Sequence, residues 1–153
     1  MHFIKDDNYN PIGPNTKYVY RSNDYAIDII DRFTNGVFIT VMVNDVYIET
    51  DSDAQLSHCW GICPAPGWQN IRLLIPAIIQ SNVSIGGVNL DQNFVTKIND
   101  DGRWPVYFDK EKMILCIGNN SPEILIEFNT NSYVSLDENK MIDSLWVKID
   151  KIE

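Results

Sequence analysis

The chain has 153 residues, 44% of them hydrophobic, with 21 Asp and Glu against 12 Lys and Arg and a formal net charge of −9. This length and apolar content suit one domain (1–153) with a filled core and disfavour intrinsic disorder. The acidic balance disfavours direct binding to nucleic-acid phosphates, and no apolar run approaches the roughly 18–20 residues of a membrane-spanning helix.

Taken in chain order, the first residues, Met1-His2-Phe3-Ile4-Lys5-Asp6-Asp7, lack the basic and apolar regions of a signal peptide, which points to the cytoplasm. Tyr25–Phe33 and Val37–Val43 read as strands separated by Asn35-Gly36, the strongest short-range hairpin signal. The apolar residues of Val37–Val43 fall on both faces, which predicts a central strand covered on both sides. Asn44-Asp45 either turns the chain again or lets Val37–Thr50 run on as one strand. Asp51–Gln69, with Pro64, Pro66 and Gly67, reads as a long irregular stretch.

Leu73–Ile79 is strand-length but contains Pro76, so it suits a short helix or a buried strand. Gly86-Gly87 separates Asn82–Ile85 from Val88–Leu90, and Asp100-Asp101-Gly102 precedes Trp104–Phe108. Met113–Ile117, Glu123–Phe128, Ser132–Leu136 and Met141–Ile149 complete the series. In Glu123–Phe128 the residues Ile124, Ile126 and Phe128 share one face, with Glu123 and Glu127 on the other. Isoleucine, valine and aromatic residues recur while alanine is scarce, so the composition also favours strand. The predicted class is mostly β: an antiparallel sandwich or barrel-like meander with at most one or two short helices.

Candidate chemistry is sparse. Two histidines and three cysteines limit it, and Cys59, Cys63 and Cys116 form no paired framework, so reduced thiols are expected. His58-Cys59 with Cys63 lacks the fourth ligand of a zinc site, and adjacent residues of a strand face opposite ways, which spoils a Cys–His dyad. Asp51 and Asp53 lack the spaced oxygens of a calcium loop, and there is no phosphate-binding glycine loop. No cofactor and no metal are predicted. Among the tryptophans, Trp60 and Trp68 fall in the proline-bearing stretch. They read as core or loop anchors, or alternatively as a platform for a small ligand or carbohydrate.

The sharpest feature is Asp45-Val46-Tyr47-Ile48-Glu49-Thr50-Asp51-Ser52-Asp53. Extended, it sets Asp45, Tyr47, Glu49, Asp51 and Asp53 on one face, roughly 6.5–7 Å apart. Such a ridge serves either as a solvated edge that resists aggregation or as a docking surface for a basic partner, with Tyr47 as its aromatic anchor.

In overall character, as a small, acidic, β-rich chain without evident catalytic groups, the protein resembles the immunity proteins of bacterial toxin systems. These include the contact-dependent growth-inhibition type. The resemblance rests on no motif, so no family site transfers onto this sequence. It implies a cytoplasmic binding protein, not an enzyme, that neutralises a cognate basic toxin domain such as a nuclease, with no direct nucleic-acid or membrane partner. The alternatives are a small-ligand or carbohydrate-binding β domain using Trp60 and Trp68, and a hydrolase built on carboxylates or on His58 with a cysteine.

Overall fold

The computed structural model describes residues 1–12, 15–30, 39–87, 94–99 and 102–153. Its described residues form fifteen strands and one short 3-10 turn at Ala65–Gly67, so the chain is mostly β, as predicted. No helix among them is long and apolar enough to cross a membrane.

Early in the chain come β1 (His2–Lys5), β2 (Lys17–Arg21), β3 (Ala26–Ile30), β4 (Ile39–Val43), β5 (Asp45–Thr50) and β6 (Leu56–Ile62). The next are β7 (Trp68–Asn70), β8 (Ala77–Gln80), β9 (Val83–Gly86) and β10 (Phe94–Lys97). Finally come β11 (Val106–Asp109), β12 (Ile114–Gly118), β13 (Ile124–Asn129), β14 (Ser132–Leu136) and β15 (Ile142–Ile152). The first layer runs β10-β4-β5-β6-β3-β2-β15, and the second runs β8-β13-β14-β15-β12-β11-β7. β1 and β9 pair separately.

β15 belongs to both layers. Residues 142–148 lie between β12 and β14, and residues 149–152 run beside β2 after a register shift between Ile149 and Lys151. Such an irregularity bends a strand and lets one sheet fold back upon itself. Tyr18, Ile27, Ile48 and Leu56 of the first layer then share one core with Leu115, Val134, Leu145 and Val147 of the second. Phe3, Val83 and Ile85 bring the β1–β9 pair into the same core.

Several local expectations change. Asn35-Gly36 and Val88–Leu90 lie outside the described residues, but β3 pairs with β2 and β6 and not with β4. The turn at Asn44, whose φ of 53° asparagine tolerates, folds β5 against β4 and thereby carries β6 to β3. β4 buries Ile39, Val41 and Val43 on one side while Thr40 and Met42 stay half-buried, so one face is fully covered and the other in part; Phe38 lies outside the described residues. The stretch read as irregular contains β6, because Leu56–Ile62 completes a hairpin with β5.

Leu73–Ile79 is neither helix nor buried strand. Residues 71–76 form an extended strap, and edge strand β8 begins only after Pro76, which has no N–H for a ladder. The strap crosses the outer face of the second layer, where Leu73 packs with Cys116, Leu125 and Trp146, while Leu74 is 84% exposed.

Asp109 is the main anchor of this strap, beside the Ile71 N–H to Phe108 carbonyl and Lys112 ammonium to Leu73 carbonyl bonds, each at 3.1 Å. Asp109 Oδ2 accepts the Leu73 N–H at 2.9 Å and the Lys112 ammonium at 3.1 Å. Its Oδ1 accepts the Glu111 and Lys112 N–H groups at 3.0 and 3.1 Å. These donors, led by the Leu73 N–H, lower its pKa from 3.8 to about 2. The stabilisation is therefore complete above the unfolded value of 3.8 and is lost as pH falls through about 2. Asp109→Asn is expected to cost about 2 kcal/mol at pH 7. It should also speed amide exchange across residues 71–76 and flatten the acid limb of the stability curve. Urea denaturation at pH 7 and pH 3 with hydrogen exchange checks all three.

Candidate functional site

Alternation along β5 works as predicted for its first part: Val46 and Ile48 enter the core, and Asp45 and Tyr47 lie on the opposite face. The open ridge does not form. Tyr47 pairs with Trp60 across the β5–β6 hairpin, and their rings stack at 4.6 Å with a 26° interplanar angle. Asp45 forms an ion pair with Arg103. Glu49 is only 8% exposed. Its Oε1 accepts the Trp60 indole N–H at 2.6 Å, and its Oε2 lies 2.8 Å from His58 Nε2. His58 Nδ1 in turn lies 2.8 Å from the Ser57 hydroxyl. A desolvated carboxylate persists where such partners replace water, so Glu49 organises the hairpin and presents little charge to solvent.

Asp51 and Asp53 lie beyond the end of β5, in the turn to β6. Asp51 Oδ1 accepts the N–H groups of Asp53 and Gln55, each at 2.9 Å, which shapes that turn. Thr50, at the last strand position, turns its hydroxyl inward to the Ile39 carbonyl at 2.9 Å. Two other segments are tied to the same turn. Gln55 Nε2 donates to the Asn10 carbonyl at 3.1 Å, and the Ile85 N–H donates to the Ala54 carbonyl at 2.9 Å. Asn82 then accepts from the Asn10 N–H through its side chain at 2.8 Å and from the Asp6 N–H through its carbonyl at 3.0 Å.

This network ties the segment of Asp6 and Asp7 to the acidic end of the β5–β6 hairpin at Asp51 and Asp53. Asp6, Asp7 and Asp53 are exposed and Asp51 is half-buried. None of the four joins an ion pair among the described residues. Lys5 is the cation that flanks them in sequence. Of the predicted ridge, the carboxylates outside ion pairs among the described residues are therefore Asp51 and Asp53 in the turn rather than those along β5.

The remaining candidates are built into the packing. Trp60 belongs to a strand and is held by Tyr47 and Glu49. Trp68 wedges between Tyr20 at 4.6 Å and Phe108 at 4.7 Å. All three cysteines are free and buried. Burial pushes the Cys59 thiol up to about 12 and the Cys63 thiol up to about 11. Burial, with the nearby Asp143 carboxylate, also raises Cys116. His58 faces Glu49, and Cys116 lies in the outer-face cluster under the strap, so no Cys–His pair forms between these two. Among the described residues, no three His, Cys, Asp or Glu side chains converge as metal ligands.

Compared with known protein families and with curated proteins, the chain matches none.

Two features of the site escape a reading by strand alternation. Arg103 neutralises Asp45 from a distant loop, placed there by Asn44 and Asn99. The Asn44 side chain donates to the Trp104 carbonyl at 3.0 Å and accepts from the Asn99 amide at 2.6 Å. The Glu49–His58 pairing did leave a signal. Folding the chain back at Asp51–Gln55 sets Glu49 opposite His58, an acid facing an imidazole on one hairpin.

Glu49→Ala removes the acceptor of the Trp60 indole and the anion beside His58. It is expected to cost on the order of 3 kcal/mol, whereas Asp53→Asn should stay within about 0.5 kcal/mol of the parent, as read by chemical denaturation. The raised thiols should be nearly silent to an aromatic disulfide reagent at pH 8 in the native state. All three should react promptly in denaturant.

Proposed function

We propose that this chain is a cytoplasmic binding protein of the immunity type, which neutralises a basic toxin domain by docking against it, and that it is not an enzyme. The observation that supports this reading most is the acidic end formed by Asp6, Asp7, Asp51 and Asp53, whose two segments are tied by the Asn10–Gln55 and Asp6–Asn82 hydrogen bonds. Carboxylates that join no ion pair among the described residues steer a positively charged partner over long range and accelerate its encounter. A cleft that binds nucleic-acid phosphates is such a partner surface, and covering it would block access by its substrate.

The half-buried Tyr47–Trp60 stack continues the hairpin away from the turn and supplies the aromatic contact that protein interfaces favour. In this reading Asp51, Asp53 and Tyr47 touch the partner, Asp45 does so at the rim through its exchangeable pairing with Arg103, and Glu49 acts by holding the hairpin rigid. The large negative charge of the whole chain reinforces the steering.

The decisive measurement uses the C-terminal domain of the polypeptide encoded immediately upstream of this chain. Its association rate should fall steeply between about 0.05 and 0.3 M salt, with dissociation changing much less. Asn at positions 6, 7, 51 and 53 together should slow association about tenfold at low salt. A rate indifferent to both salt and these substitutions overturns the reading.

A further inference from the structure

The structure holds a second surface suited to a cationic ligand, built from none of the residues of the acidic end. Trp104, Pro105 and Tyr107 wall an open groove of about 400 Å³ that reaches Asn119 and Asp143. A second depression of about 370 Å³ begins at the same Asn119 and Asp143 and continues to Pro122, Glu123 and Leu136. Because Asn119 and Asp143 border both, the pair reads as one candidate channel with Asp143 shared between its halves. Its charged lining residues are Asp143 and Glu123, and no Lys or Arg is among them.

Asp143 is held in place from behind. Its Oδ1 accepts a hydrogen bond from the Ser135 hydroxyl, which also contacts the Ser144 hydroxyl. Ser144 Oγ accepts the Trp146 indole N–H at 2.9 Å, and Ser135, Ser144 and Trp146 are all buried. On its other side, Asp143 Oδ2 accepts from the Asn119 side chain at 3.2 Å, while the Asn119 N–H donates to the Asp143 carbonyl at 3.0 Å. A carboxylate offers about four acceptor positions, so two remain for a ligand. Asp143 joins no ion pair among the described residues.

Gly118 lets Trp104 and the Asp143 main chain approach closely from either side. A Cβ there would lie 2.5 Å from the Asp143 carbonyl oxygen and 2.8 Å from Trp104 Cε3, and the backbone φ is +102°. The result is an oriented anion that lines the same groove as a half-buried indole and phenol.

We propose that this channel docks an extended polypeptide segment bearing an arginine. The guanidinium pairs with Asp143 and stacks against Trp104, and the following residues run past Pro122 and Leu136 toward Glu123. A planar guanidinium satisfies the carboxylate and the aromatic face together, which a compact ammonium does less well. This inference goes beyond the acidic-end reading and stands without it.

The test is an amide-resolved NMR titration of the intact chain with a capped pentapeptide carrying one arginine among prolines and leucine. The same peptide with citrulline at the arginine position serves as the comparison. The arginine peptide should shift the amides of Asn119, Asn120 and Asp143 and the Trp104 indole in a saturable manner, and the citrulline peptide should bind at least about tenfold more weakly. Asp143→Asn should weaken the arginine peptide by about tenfold, and Glu123→Gln by less. Because the substitution at Asp143 touches a buried serine pair, the peptide comparison on the unaltered chain decides the matter. Equal binding of both peptides, shifts elsewhere on the surface, or no shifts at millimolar peptide overturns the proposal. Failure to bind the upstream-encoded domain would leave this titration unchanged.

Discussion

Ile142–Ile152 must satisfy three neighbours at once. Its first residues accept β12 on one side and β14 on the other, and its last ones turn to β2. The two layers share a core because this strand belongs to both. Its side chains divide accordingly: Leu145, Val147 and Ile149 enter the shared core, and Trp146 faces the opposite way into the cluster under the strap. A buried indole of this size contributes much apolar area, but only while something covers it. Leu73 supplies that cover, and the Asp109 carboxylate keeps Leu73 in position.

The acidity of the chain divides into charges with structural partners and charges open to solvent. Glu49 and Asp109 are buried and surrounded by donors, so their charge serves the fold. Asp45 is balanced by Arg103 at a partly exposed site, where such a pair contributes little to stability. Asp6, Asp7, Asp51 and Asp53 have no such counterpart among the described residues, and their negative potential extends into solvent. Asp143 is intermediate, oriented by hydroxyl and amide donors but without a cation. Asp24, Glu111 and Glu138 are also exposed and outside ion pairs among the described residues, so free carboxylates are spread over several surfaces.

Much of the fold can be read from residue pattern alone. The β-branched and aromatic bias and the Asp and Asn turns after residue 108 correspond to β11 through β15 with small boundary shifts. The facing read in Glu123–Phe128 holds only in part, since Ile124 is exposed and Leu125 is buried under the strap. The central part is less legible because its elements lack clean periodicity. Leu56–Ile62 carries Ser, His and Gly among apolar residues and is buried almost throughout, so neither face reads as solvent-exposed. The strap resembles a core segment because its apolar residues are consecutive. Only Leu73 among them is covered, while Leu74 projects outward.

For the candidate site, sequence alone established the excess of carboxylates, the shortage of catalytic groups and the shared facing of Asp45 and Tyr47. Those properties follow from composition and from the two-residue period of a strand, which are local. Tertiary structure decided which carboxylates remain available. Glu49 is desolvated by His58 and Trp60 across a hairpin, and Asp45 is met by an arginine from a distant loop. The segment of Asp6 and Asp7 is tied to the Asp51–Asp53 turn by hydrogen bonds from Asp6 to Asn82, from Asn10 to Asn82 and from Gln55 to Asn10. Desolvation and charge pairing depend on distance in space, and residues far apart in a chain become neighbours only when the strands have paired.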